Sequence, residues 1–217
     1  GDGDPVSGLA EAEGLFVINI EDDVPVLADR GEQSRPVGGQ VNEDPLSSPH
    51  NGNDDVSQTL VVSTATGAGS LSGLVAFGAD GPGDFGLVNA AAATTLLNAQ
   101  GLTSGGEELV YTVSQVFDLD GNLVSSTLTA VAAGSVGGYP VFTLVVEADG
   151  DFTFTLNGPI DHPEPNGNDG ENWVGLGGSA GIDFTALLTA TDGDGDPVSG
   201  LAEAEGLFVI NIEDDVP

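Results

Sequence analysis

The first 25 residues of the chain recur, letter for letter, as its last 25: residues 1–25 and 193–217 both read GDGDPVSGLAEAEGLFVINIEDDVP. The two copies are offset by 192 residues. Self-similarity at a fixed period is the signature of repeat architectures, so the simplest interpretation is a window cut from a tandem array. Arrays of near-identical large modules usually serve as spacers, stalks or strings of binding modules, which argues against a solitary enzyme.

This interpretation divides the chain into domains. Residues 1–25 are the C-terminal tail of the preceding repeat with its linker, and 26–217 form one full repeat. Within that repeat, 26–56 are polar and aperiodic, which predicts a linker and a loop leading into the fold. We expect a β-sandwich over 57–212 and an outgoing linker over 213–217.

The charge balance is extreme. The chain has 35 acidic residues against two arginines and no lysine, for a net charge of −33. Nucleic-acid binding needs a basic footprint, so it is excluded, and direct membrane contact is not expected. Such a charge opposes compaction unless cations neutralise it. The acids cluster in short Gly/Asn/Pro-rich stretches between apolar runs, which favours specific cation sites over a merely solvated acidic surface.

The sequence pattern predicts an all-β fold, since short runs of Val, Leu, Thr, Phe and Ile alternate with turns of Gly, Asp and Asn. Many short strands with turns between them point to a sandwich, although a sandwich plus a small subdomain at 57–100 stays open. The only helix candidate is 90–98, supported mainly by alanine. The predicted strands are 58–64, 71–77, 108–117, 123–132, 140–147, 151–157, 183–190 and 207–212, with a further lone strand at 15–20.

The strongest local motif is the loop Asp192-Gly193-Asp194-Gly195-Asp196. Alternating Asp and Gly place three carboxylates on one side of a tight turn, and glycine lets the backbone fold around a cation. Calcium takes 6–8 oxygen ligands with loose geometry, so we expect a calcium site here rather than an ordinary acidic turn. No EF-hand is formed, because neither a bidentate Glu nor flanking helices follow.

Strand parity predicts that further acidic loops share one end of the sandwich with this loop. Four acids in these loops form weaker versions of this motif, and they are as consistent with plain hairpin turns as with metal ligands. They are Asp118, Asp120, Asp149 and Asp151. Asp80-Gly81 is most simply a turn.

The junction between repeats carries three consecutive acids before Val-Pro, a context that keeps the backbone extended. A bound calcium would clamp this segment to the neighbouring loops, whereas without one it is a solvated, self-repelling linker. The candidate ligands are Glu21, Asp22 and Asp23, their counterparts Glu213, Asp214 and Asp215, and Glu43 and Asp44 at the start of the repeat.

A second polar cluster lies at 161–172. It offers a further calcium loop or, alternatively, a calcium-bridged glycan site that would make the chain a ligand-binding adhesin module. The candidate residues are Asp161, Asp169 and Glu171. Catalysis finds no support, because cysteine and lysine are both absent. We therefore expect no enzyme, and regard a small-molecule or glycan ligand as the weaker alternative.

These residues together resemble the extender repeats of giant bacterial RTX adhesins, which are exported by type I secretion and support biofilms. The resemblance implies an Ig-like β-sandwich stacked in long chains, several Ca²⁺ ions per repeat within and between modules, neighbouring identical repeats as partners, and an extracellular location at the bacterial cell surface. The nonapeptide GGxGxDxUx of RTX tails is not present. The matching segments are LVAFGADGPGDF at 74–85, LTSGGEELVYTV at 102–113, DFTFTLNGPIDHP at 151–163, NGNDGEN at 166–172 and TDGDGDPVSG with FVINIEDDVP within 191–217.

Overall fold

A computed structural model describes residues 18, 22–29, 36–43, 46, 59–62, 70–134, 140–161 and 181–213, without the side chains of 42, 59–62 and 213. The strands are β1 (Val26–Leu27), β2 (Val37–Asn42), β3 (Thr59–Val62), β4 (Val75–Ala76), β5 (Asp84–Leu87), β6 (Thr103–Ser104), β7 (Glu107–Phe117), β8 (Leu123–Ala132), β9 (Pro140–Glu147), β10 (Phe152–Leu156), β11 (Ile182–Asp183), β12 (Leu188–Thr191) and β13 (Phe208–Glu213), and the helix is α1 (Ala90–Asn98).

The largest layer is a six-stranded antiparallel sheet in the order β3-β10-β9-β8-β7-β6. Its central strands alternate between buried and half-buried positions, as in β10, where Phe152, Phe154 and Leu156 are buried and the threonines between them are not. This alternation is what a sheet with one face on the core requires. It agrees with the strand predicted at 151–157.

A three-stranded sheet, β11-β13-β2, lies against this face. Its central strand contributes Phe208, whose ring lies 4.7 Å from that of Phe152 and 5.7 Å from that of Phe184. Edge and tilted contacts of this kind are favoured by the ring quadrupoles. The aromatic cluster therefore joins the two layers, and the fold is all-β and sandwich-like, as predicted.

Strand β2 pairs in parallel with β13, so that Gly38 faces Val209. A Cβ at Gly38 would meet the carbonyl oxygen of Val209, and its φ of 128° is one that side chains rarely adopt. Only glycine allows the two backbones to come this close. The structure thus has two strands, β1 and β2, inside 26–56, where only a linker and a loop leading into the fold were expected. Glu43 and Leu46 of the same stretch are buried.

Two strand predictions were partly wrong. Leu71–Leu74 form a 3-10 turn and only Val75–Ala76 a strand, because the Ser70 side chain accepts a hydrogen bond from the Ser72 N–H and starts the turn. The predicted strand 183–190 is interrupted by a second 3-10 turn at Thr185–Leu187. The strands β1, β2, β5 and β6 were not predicted at all.

The predicted helix at 90–98 is confirmed at both ends. Asn89 caps it, since its side-chain oxygen accepts the N–H groups of Ala91 and Ala92 at 3.1 Å. Asparagine is among the preferred N-cap residues. Ala93 and Leu97 are the buried positions of this helix. The lone strand predicted at 15–20 lies outside the described residues except for Ile18, and the repeat boundaries stay predictions.

Candidate metal centre

The loop that follows β12 is built around Asp192. This side chain is only 5% exposed, and its Oδ1 accepts the backbone N–H groups of Gly195 at 3.1 Å and Asp196 at 2.8 Å. The Asp192 N–H in turn donates to the Asp196 carbonyl at 3.0 Å. Gly195 has a φ of 103°, which explains a glycine at that point. The loop is therefore a closed ring of hydrogen bonds around one buried carboxylate.

The other oxygen of that carboxylate, Oδ2, is buried and receives no hydrogen bond from the described residues. Its neighbours are carboxylates: oxygens of Asp192, Asp194 and Asp196 lie within 4.8 Å of one another. Buried polar atoms in native proteins are almost always satisfied. Two carboxylate oxygens cannot satisfy each other unless a proton or a cation lies between them, so a proton carried by Asp194 or a bound cation would satisfy Oδ2.

A second triad shares Asp194 with the first. Carboxylate oxygens of Asp22, Asp80 and Asp194 also lie within 4.8 Å of one another. Asp80 ends the 3-10 turn Gly78–Asp80, and its carbonyl accepts the Gly193 N–H at 2.8 Å. The backbone bond fixes Asp80 beside the loop, and the predicted junction residue Asp22 completes the group. Hereafter, the acidic apex means Asp22, Asp80, Asp192, Asp194 and Asp196.

The segment 22–29, called here the leading segment, is docked onto this end of the molecule. Asp23 Oδ2 accepts the Ala79 N–H at 2.8 Å, and a Cβ at Gly78 would collide with that carboxylate. Farther along, β1 pairs with β4, and the Ala28 N–H donates to the Leu74 carbonyl at 2.9 Å. Asp22 is therefore held at the apex by bonds on its C-terminal side.

The electrostatics of the apex are those of crowded like charges. A hydrogen bond with Asp192, burial and the repulsion of Asp192, Asp22 and Asp196 raise the pKa of Asp194 to about 6. Burial acts to raise the pKa of Asp192 too, but hydrogen bonds from Asp194 and from the N–H groups of Asp196 and Gly195 outweigh it and lower that pKa. The pair thus divides into one firmly ionised carboxylate and one that holds a proton more tightly than usual.

The hairpin turn between β7 and β8 is organised by Asp118. Its Oδ1 accepts the N–H groups of Asp120 and Asn122, and its Oδ2 accepts the Asn122 side-chain amide at 2.9 Å. The Asn122 bonds are the main cause of its lowered pKa. Among the described residues neither Asp118 nor Asp120 joins an acidic triad, and for this turn the hairpin interpretation accounts for the contacts of Asp118.

The turn between β9 and β10 is similar. Asp149 Oδ1 accepts the Asp151 N–H at 3.1 Å, and neither residue belongs to a triad in the described part of the chain. This turn and the 192–196 loop nevertheless lie at one end of the fold. The Phe85 N–H donates to the Ala148 carbonyl, while the adjacent Asp84 pairs with Thr191, directly before Asp192. The predicted meeting of loops is seen, but their carboxylates do not converge.

Two other predicted ligands have structural roles at the far end of the sandwich. The buried Glu43 accepts the Ile160 N–H at 2.7 Å. Asp161 accepts the N–H groups of Gly105 and Gly106 at 2.8 and 2.7 Å, which closes the β6–β7 turn. Outside the described residues lie Glu21, Asp44, Asp169, Glu171, Asp214 and Asp215, and the side chain of Glu213 is likewise not described.

Asp80 is the apex residue that the sequence analysis missed. It looked like one more Asp-Gly turn, and the turn reading is right for its local backbone. Its place in the triad depends on the long-range bond to Gly193, 113 positions later. No local pattern carries that information.

The class defined by these observations is an all-β sandwich-like module with an oxygen-lined acidic apex onto which its leading segment folds. More specifically, the chain belongs to the family described as Domain of unknown function (DUF5801), whose model matches residues 39–204. No curated protein and no solved structure matches it. None of the described helices has the length and apolar character needed to cross a membrane.

Proposed function

We propose that this chain is one repeat, with the tail of its predecessor, of a tandem array that serves as a calcium-stabilised extender in a bacterial RTX-type surface adhesin outside the cell. The array would project a distal binding domain, with neighbouring identical repeats as its partners. The observation that carries the proposal is the second triad: Asp22, from the tail of one repeat, lies with Asp80 and Asp194 of the next. A cation held there would join consecutive modules.

Calcium suits this donor set better than other common cations. All the ligating groups are carboxylates, and calcium accepts 6–8 hard oxygens in flexible geometry at about 2.3–2.6 Å. Backbone carbonyls and water can complete the shell. Zinc prefers nitrogen and sulfur ligands, and magnesium demands a stricter octahedron. The unsatisfied Oδ2 of Asp192 supports a second ion in the triad with Asp196.

The two ends of the module also suit end-to-end stacking. The leading segment docks at the apex, whereas β13 ends at Glu213, paired with Asn42. Glu43, the residue after Asn42, accepts the Ile160 N–H. Ile160 follows the end of β10 that lies farther from the 148–151 turn, so this contact is at the end of the module opposite the apex. The chain thus arrives at one end and leaves at the other. Because external calcium is abundant relative to a dissociation constant of about 10⁻⁴–10⁻³ M, the junctions would stiffen after export.

Hydrogen exchange on the 217-residue chain tests the clamp. With calcium, we expect the backbone amides of Val24 and of Val26 to Ala28 to exchange more slowly than with a chelator. Asp22→Asn should abolish most of that difference. Asp120→Asn removes the same charge from an exposed acid outside both triads and should leave it intact. Identical exchange with calcium and with chelator would refute the calcium clamp.

Small-angle scattering of two consecutive repeats tests the extender role. Calcium should straighten the particle, and Asp214→Asn in the upstream repeat, which is the counterpart of Asp22 in sequence, should restore the bent distribution. Particle dimensions that are the same with and without calcium would contradict the proposal.

A further inference from the structure

The β7–β8 hairpin carries a cluster of exposed apolar side chains at its tip. Val116, Phe117 and Val124 are each exposed by about half, and Leu119 is exposed completely. Single exposed apolar residues are ordinary, but several at one hairpin tip can form an interaction surface. The apolar tip means these four residues. None of the four side chains belongs to the described core, and none is a ligand in the calcium clamp.

The apolar tip projects from the acidic end of the module. The last pair between β8 and β9 is Ser125 with Glu147, whereas the hairpin continues through Phe117 paired with Leu123. The Val124 carbonyl still accepts the Ala148 N–H, so Leu123, its partner Phe117 and the turn itself are the part of the hairpin that extends past the neighbouring chain. A structure that packs on this end of the module would therefore contact Phe117 and Leu119.

The tip is close to the place where the leading segment docks. The Val124 carbonyl accepts the Ala148 N–H, the Ala148 carbonyl accepts the Phe85 N–H, and Asp84 pairs with Thr191 beside Asp192. Three successive strand spacings put the backbone at Val124 within about 15 Å of the loop at Asp192. A module of this length has a radius of gyration of about 16 Å, so one module seated on the acidic apex also covers the tip.

The linker between the preceding repeat and the acidic apex is too short to keep the two modules apart. In the C-terminal copy, β13 ends at Glu213, whose counterpart in the first copy is Glu21, directly before Asp22. In a preceding repeat folded as this one is, one peptide link, about 3.8 Å between Cα atoms, would separate its last strand from the clamp. The end face of that repeat would then lie over the apical end.

From this placement we infer that the apolar tip docks against the end face of the preceding repeat, as a second, apolar contact in each junction. The inference rests on the proposed array. Burial of Phe117 and Leu119 gives the junction a contact that salt does not screen, whereas the clamp is ionic. Two separate contacts also resist bending, which one ion acting as a pivot cannot do.

Thiol labelling in a chain of two consecutive repeats tests the inference, because the chain has no native cysteine. Leu119→Cys is placed in the downstream repeat or, as the matched control, in the upstream repeat. With calcium, we expect maleimide to react severalfold more slowly with the downstream thiol. Val110→Cys, exposed on the same strand but seven residues from Phe117, should react equally in both repeats.

Scattering of the same samples separates this inference from the proposed function. If calcium straightens the chain but the two Leu119→Cys thiols react equally, the tip contact is wrong and the clamp stands. If calcium changes neither observable, the clamp itself fails. Protection of both thiols that grows with protein concentration, or only on adding phosphatidylcholine vesicles, would overturn the inference in favour of lateral association or a membrane.

A paired substitution provides a second readout. Phe117→Ser with Leu119→Ser in the downstream repeat should widen the distribution of angles between repeats while leaving the calcium-dependent melting temperature of each module unchanged. The same pair in the upstream repeat should have no effect on the angle. An equal effect from both positions would show that the substitutions act within the module, which contradicts the inference.

Discussion

The two identical 25-residue copies have different surroundings. Ile210 lies in the centre of β13 and is fully buried, whereas its counterpart Ile18 is 70% exposed. The C-terminal copy lies between β2 and β11 and places Phe208 in the aromatic cluster. In the first copy, Asp22 and Asp23 instead contact the turn at 78–80 and the acidic apex. The described part of the C-terminal copy thus completes the sandwich, whereas the described part of the first copy is exposed at Ile18 and docks on the apex through Asp22 and Asp23.

The largest difference between the copies should appear when the same isoleucine is truncated in each. Ile210→Ala removes buried methyl groups and leaves a cavity in a closed core, which costs about 2–5 kcal/mol. Ile18→Ala, at an exposed position, should stay within about 0.5 kcal/mol. Urea unfolding of the two variants measures both. Equal losses would mean that the first copy is packed as tightly as the second.

A second test of the comparison disrupts the pairing of β2 with β13, the strand of the C-terminal copy. Gly38→Ala pushes a methyl group into the Val209 carbonyl and requires an unfavourable φ, so we expect a loss of about 2–4 kcal/mol. Gly73→Ala is the control, since a Cβ there meets nothing within 4 Å. A thermal melt of Gly38→Ala that matches the parent chain would show that β2 and β13 are not closely paired.

Much of this fold was predictable because its long strands carry their own signal. The strands β8, β9 and β10 and the helix lie where periodicity and alanine content indicated. Strand β2, with two glycines in VGGQVN, has no such signal, because it exists through its pairing with β13. Likewise, β5 is a four-residue strand defined by β12. Short strands stabilised by distant partners are outside the reach of local patterns.

The candidate site was predictable to the same degree. The alternation of Asp and Gly at 192–196 indicated a carboxylate cluster, and the structure has one. The docking of the junction acids was expected, but the partner Asp80 was not, because a backbone bond between distant turns brings it there. Asp118 shows the converse: an equally suggestive turn whose carboxylate is occupied by its own backbone. Composition could not distinguish the two loops, whereas burial does.

Calcium should stabilise the module through the loop that belongs to the C-terminal copy. At about 10 mM calcium and a dissociation constant of about 10⁻⁴–10⁻³ M, binding to the folded state adds about 1.4–2.7 kcal/mol. Asp194→Asn, which affects both triads, should remove most of this gain, and Asp120→Asn should not. Calorimetric melts with calcium and with chelator measure it. If Asp194→Asn kept the gain in stability, the calcium would have to bind at a site other than the two triads.

The smallest expected effect is a pH dependence whose direction calcium reverses. The pKa of Asp194 is raised from its ordinary value of 3.8 to about 6, so the folded state holds a proton that the unfolded chain releases. Its stabilising contribution is therefore complete below pH ~4 and is lost as the pH rises through about 6. With chelator, the melting temperature should fall over that interval.

With calcium, the cation takes the place of the proton, and deprotonation of Asp194 favours binding. The melting temperature should then rise over the same interval, so the two curves should diverge from a common value at low pH. Asp194→Asn should flatten the difference between them, although the general relief of acidic repulsion at low pH remains in both. Parallel curves for the parent chain would mean that proton and cation do not compete for one site. The junction would then have to be stabilised without the shared carboxylate.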